Sequence, residues 1–231
     1  MSTPITQLPK PGAEQYKNEK KLFLVPNFMM PPGIPDEGQK LLEDYWSEVR
    51  ENITNLERSL GSISKIFHEL VASEDEKGME IVEQINPKAS SFIKALHQSN
   101  AKLEALEDQE ILQESMEWSQ LITTQHSFSS KKVQEFFSTT IAPKALEGYR
   151  ESTENRSKNI IDKISSSLQQ NEVGILFIRE DHGFQFPADI KIFYVAPRAL
   201  DALKRWIEDQ MRAPSLNQEE EPEPDDKSDE A

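Results

Sequence analysis

The chain has no cysteine, which excludes disulfide cross-links and thiolate metal sites. It has no apolar run near the roughly 20 residues that a membrane-spanning helix needs, and no basic start leading into an apolar stretch as in a secretory signal. These absences point to an intracellular, cytoplasmic protein without a membrane segment. Also missing are the phosphate-loop pattern GxxxxGK, the dinucleotide pattern GxGxxG, the zinc pattern HExxH, the calcium loop and the nucleophile elbow GxSxG. Several common enzyme classes are set aside on that ground. No repeat of fixed period and no sustained heptad occurs either.

What is present is 231 residues with a formal net charge of −15, long enough for one substantial domain with its own core. The charge is uneven. From Glu219 onward eight acidic residues face Lys227 alone, so −7 of the −15 sits in that tail and −8 elsewhere. An acidic body repels phosphate backbones, which disfavours nucleic acid as a partner. Residues 1–20, with Pro4, Pro9, Pro11 and Gly12 among polar neighbours, read as a disordered lead-in, and residues 213–231 as a disordered acidic tail. A single domain over 21–212 is expected between them.

Within the domain, Leu22–Val25 reads as a short buried strand ended by Pro26, and Met29–Pro35 as a stiff apolar loop that covers a core edge or lies across a pocket. Asp36 is placed to cap a long helix in which Leu42, Tyr45, Trp46, Val49, Ile53, Leu56 and Leu60 keep a 3.6-residue stripe, with Gly61 as its stop. Alternation over Ile63–Phe67 predicts a second strand. Helices carrying Met79, Val82 and Ile85, then Phe92, Ile93 and Leu96, follow on either side of Asn86-Pro87. Further helical stripes contain Ile111, Leu112, Met116, Trp118, Leu121 and Ile122, then Val133, Phe136, Phe137 and Ile141. The polar run Arg150–Asn159 reads as the exposed middle of a helix whose apolar face resumes at Ile160, Ile161, Ile164 and Leu168.

The most informative stretch is Val173–Met211. An apolar run at Val173 and Ile175–Ile178 meets the polar tip Arg179-Glu180-Asp181-His182, and a second strand-like run follows at Ile190 and Ile192–Val195. A helix after Pro197 then carries Leu200, Leu203, Ile207 and Met211. Together these elements predict a helix-rich α/β domain: a small sheet of about four or five strands packed by helices, with a strand-loop-strand-helix unit at its C-terminal end. The alternative is a helical bundle with a terminal β-hairpin around His182.

Two predicted strands, and the segment Ala101–Leu106, which reads as a short strand or the start of a helix, run into polar clusters: His68-Glu69, Glu180-Asp181-His182 and, after Ala101–Leu106, Glu107-Asp108. In a parallel sheet these ends open on one side, where α/β proteins place their sites. Neighbouring carboxylates and imidazoles bind divalent cations or divide general-acid and general-base roles. Acidic residues after strands also commonly cap helices. Two functions follow as expectations. The first is an intracellular protein-interaction or regulatory protein with another protein as its partner. The second is a divalent-metal-assisted hydrolase of a phosphate ester or related substrate. In it Glu180, Asp181 and His182 do the chemistry, and His68, Glu69, Asp181 and His182 hold Mg²⁺ or Mn²⁺.

Overall fold

A computed structural model describes residues 12–31 and 33–212. The segments 1–11 and 213–231, where disorder was expected, lie outside the described residues. Five strands form one sheet: β1 (Lys20–Pro26), β2 (Lys65–His68), β3 (Lys102–Leu103), β4 (Val173–Ile178) and β5 (Ile190–Tyr194). Their order is β3-β2-β4-β1-β5, and every neighbouring pair is parallel. This is the helix-rich α/β domain that the periodicities predict. The alternative hairpin does not form, because β4 and β5 are not neighbours: each pairs with β1, from opposite sides. Burial explains the difference. β4 is buried along its whole length, as a central strand covered on both faces must be, whereas β5 alternates between buried and more accessible positions, as an edge strand does.

The described residues form seven α-helices: α1 (Asp36–Leu60), α2 (Asp75–Ile85), α3 (Pro87–Gln98), α4 (Gln109–Thr123), α5 (Lys131–Phe136), α6 (Ala142–Ser167) and α7 (Ala199–Arg212). One sheet face, with Phe23, Val25, Ile66, Ile175 and Phe177, packs against α1, α2, α3 and α7. The other, with Leu22, Leu24, Phe67 and Leu176, packs against Ile160, Ile164 and Leu168, the α6 stripe and the residue that follows it. Phe184 and Phe186, in the connection from β4 to β5, join this second core. Connections running toward β3 therefore use one face and those running toward β5 use the other, as a single crossover hand requires. At Gly174 a Cβ would lie 3.0 Å from Leu22 and 3.1 Å from Phe67, so the missing side chain makes room on the α6 face.

Local details sharpen several expectations. Gly61 ends α1 with φ 108°. Asp36 is the first helical residue rather than the cap, which Pro35 occupies without a side-chain bond, so Asp36 contributes only its charge to the first turn. Asn86 caps α3 through Ala89 N–H, and Asp108 caps α4 through the N–H groups of Glu110 and Ile111. The lead-in stops before residue 20: Ala13–Tyr16 forms a 3₁₀ turn, Tyr16 meets the Phe193 ring edge-on at 5.2 Å, and Lys20 opens β1.

α4, α5 and the first half of α6 form a helical arm. A Cβ on Gly148 of α6 would come within 2.4 Å of the Trp118 ring, so this close approach needs glycine. Along α4, Ile111, Leu112, Trp118, Leu121 and Ile122 are half-buried, Met116 is exposed, and Ser115 is its one buried residue among those described.

Candidate functional site

Strand direction builds the first candidate site. β4 leaves the sheet toward one face, while its neighbours β1 and β2 leave toward the other, so a crevice opens at their carboxyl ends. Asn27 follows β1, His68 and Glu69 end β2, and Arg179 follows β4. The register sets Pro26 beside Ile178 and His68 beside Phe177, which brings these residues to one level.

Buried hydrogen bonds tie them together. Asn86 Nδ2 donates to Asn27 Oδ1 at 2.5 Å, and Asn27 Nδ2 donates to Glu69 Oε1 at 3.1 Å. Arg179 N–H donates to the same Glu69 oxygen at 2.9 Å. Asn27 Nδ2 also lies 3.4 Å from His68 Nε2, and His68 Nδ1 lies 2.6 Å from the Glu69 carbonyl. A carbonyl only accepts, so the network assigns the proton to Nδ1 and leaves Nε2 as the acceptor. That neutral form agrees with burial, which pushes the His68 pKa from 6.5 down to about 4. Burial pushes Glu69 the other way, above the ordinary carboxylate value, against hydrogen bonds from Asn27 and Arg179 N–H and the charges of Arg179 and Arg156.

Beside Glu69 lies a cavity of about 20 Å³, also lined by Thr153, Arg156, Ser157, Arg179, His182 and Phe184. Such a space holds about one water. Thr153 Oγ1 is buried without a hydrogen-bond partner in the structure. Arg156 turns instead to Glu107, donating from Nε to Oε2 at 2.9 Å and from Nη2 to Oε1, while Leu70 N–H donates to Glu107 Oε1 at 3.1 Å. Lys163 Nζ bonds the Glu107 carbonyl at 2.8 Å. Burial opposes the Arg156 charge, but Glu107 more than restores it and holds the guanidinium above its ordinary pKa. Glu107 is thus a buried ion-pair partner, and Asp108 is a helix cap.

The Glu180-Asp181-His182 cluster splits three ways. Glu180 accepts from Tyr194 Oη at 2.6 Å and from Lys204 Nζ at 2.8 Å. Burial pushes its carboxyl up, yet these two bonds hold it below the ordinary value. Asp181 is 83 % exposed and lies 3.5 Å from Arg179. His182 turns to the cavity, its Nδ1 accepting Phe184 N–H at 2.8 Å and its ring 4.8 Å from that of Phe184. Of the expected ligand set, Glu69 and His182 share one cavity, while Asp181 faces solvent and both ring nitrogens of His68 are engaged inside the network. Among the described residues, no three His, Cys, Asp or Glu side chains come together as a cation site. The reason is strand geometry: successive side chains at a strand end point in different directions, so adjacency in sequence does not make convergence.

Asn27, Asn86, Thr153 and Arg156 were not singled out in the sequence. Arg156 has a usable signal, since it stands one turn before Ile160 on the stripe that continues through Ile164. A polar residue in register with a buried stripe faces inward. Asn27 and Asn86 carry no comparable signal.

The second candidate is the arm. Among the described residues the exposed large apolar side chains are Met116, Val133, Phe136, Leu146, Ile192, Tyr194 and Met211, and the first four belong to α4, α5 and α6. Met116, Phe136 and Leu146 are 60 %, 59 % and 55 % exposed. No helix among the described residues is long and apolar enough to cross a membrane. Comparison with protein families, with curated proteins and with solved structures returned no match.

Proposed function

We propose that this chain is an interaction or regulatory protein whose arm docks on another protein. The observation that carries this reading is the apolar surface of the arm: Met116, Phe136 and Leu146 each expose more than half of their area. Large apolar side chains exposed on three consecutive helices are a mark of a contact surface. The α/β body then serves as the rigid base from which the arm is presented.

The test places a photo-activated cross-linking residue at 116 or 136, and a control at the exposed Glu51 on α1, followed by irradiation in extract of the source cells. One adduct of fixed mass at both arm positions and none at the control is the expected result. It disappears in a Leu146→Glu background. Adducts of equal yield at arm and control positions overturn the reading.

The carboxyl-end crevice favours a second reading, a hydrolase of phosphate esters or related substrates. Glu69, held toward its protonated form beside a water-sized cavity, supplies acid–base chemistry, and Arg179 and His182 face the same space. Turnover of a phosphate-ester panel that Glu69→Gln abolishes without a loss of folding supports this reading, and unchanged turnover in that variant removes it.

A further inference from the structure

Residues Phe28–Pro31, after β1, border a cleft of about 310 Å³. Met30, Pro31, Ile34, Leu42 and Ile85 give it an apolar lining, and Phe28 forms its inner wall, backed by the Tyr45 ring at 5.1 Å. Its size and lining match those of sites for small organic ligands. Gln39 on α1 spends its amide on the Ile34 carbonyl, and the other polar residues of the cleft, Gln84, Asn86 and Lys88, stand at the junction of α2 and α3.

That end carries the positive charge of the cleft, which Glu43 pairs without lining the cleft itself. Lys88 is the one charged residue lining the cleft, and no acidic side chain does so. Asn86 is 2 % exposed and is fixed by its bond to Asn27 Oδ1, with one of its two amide protons left over. Pro87 has no N–H, and Ala89 and Ser90 bond back to the Asn86 carbonyl, so Lys88 N–H is the donor that opens α3. Lys88 Nζ pairs with Glu43 at 2.7 Å on the outer side, where both side chains are well exposed. A single negative charge can compete for that lysine. A doubly charged phosphate would find only one cationic side chain here.

The structure assigns this cleft as a binding site for a small monocarboxylate with an apolar body, its chain against Met30, Ile34 and Ile85 and its carboxylate at Asn86 and Lys88. The site goes beyond the arm and is separate from it. The stretch after β1, ambiguous in the sequence between a core cover and a pocket wall, then supplies Met30, Pro31, Gly33 and Ile34 to the wall of a site.

Titration calorimetry of the full chain with octanoate, octan-1-ol and octylammonium tests the assignment. Octanoate gives saturable heat at millimolar concentration, octanol binds more weakly and octylammonium more weakly still. Ile34→Trp fills the cleft and abolishes binding, and its circular dichroism confirms that it folds. The surface variant Lys88→Gln weakens octanoate about three- to fivefold, the range of a partly exposed charge pair, and Glu43→Gln strengthens it by freeing the lysine. Three results overturn the assignment: octylammonium binding as tightly as octanoate, undiminished binding in both Ile34→Trp and Lys88→Gln, or no saturable heat at all.

Discussion

The two halves of α6 carry one stripe and meet two different fates. Ile160 and Ile164 in the second half are buried against Leu22, Leu24 and Leu176, whereas Leu146, on the same helix four turns earlier, is 55 % exposed. Between them stand Thr153 and Arg156, which face the crevice at the end of the sheet. The helix is continuous, so secondary structure does not distinguish its halves; the sheet does. Where strands lie opposite, the stripe becomes core. At the level of the strand ends it becomes polar, and past them it is left as surface.

The contrast can be broken most severely at the crevice, which joins the two halves. Glu107→Ala leaves the Arg156 guanidinium buried without its partner and is expected to cost about 3–5 kcal/mol in urea unfolding, the range for one half of a buried pair. A loss below about 1 kcal/mol would mean that the pair is hydrated in solution.

Next comes the buried half itself. Ile164→Ala removes a fully buried side chain and is expected to cost about 2–5 kcal/mol. The matched change Leu146→Ala should stay within about 0.5 kcal/mol, because the leucine is already in water. Equal effects at the two positions would show that the arm is covered in solution.

A pH effect follows from His68. Its folded pKa of about 4 lies below the unfolded 6.5, so the unfolded state binds the extra proton first as pH falls. Stability is therefore full above pH 6.5 and declines between 6.5 and about 4, by about 3 kcal/mol across the window. Glu69 has the opposite sign: its raised pKa means that stability falls as pH rises from 4.5 through the folded value. The melting temperature of His68→Gln, measured from pH 7 to pH 4, should lose the acid-side decline that the parent shows. An unchanged profile would place the proton uptake elsewhere.

Much of the fold was legible, and the reasons are local. Leu22–Val25 and Ile175–Ile178 are too uniformly apolar for half-exposed strands, and Gly61 and Asn86-Pro87 punctuate helices by backbone constraint alone. The same local reasoning paired the two strands around His182 too readily, because a short connection suggests a hairpin while strand order depends on which neighbours bury both faces. At the site, Glu69 and His182 were grouped from strand ends and line one cavity, but the rest of the expected set does not join them there. Glu180 went to Tyr194 and Lys204, and Asp181 went to solvent. Arg156 was hidden in a run of polar residues that reads as exposed.

Sequence alone determined the α/β class, the helix faces and the strand segments, since these depend on periodicity and on the chemistry of single residues. Only the tertiary structure decided that Asn27, His68, Glu69 and Arg179 meet at the carboxyl ends of three strands, that Asn86 reaches Asn27 across 59 residues of sequence, and that Leu146, on the same stripe as Ile164, is left exposed. The physical reason is that a side chain's burial and charge state are set by what packs across from it, and that partner comes from a distant part of the chain.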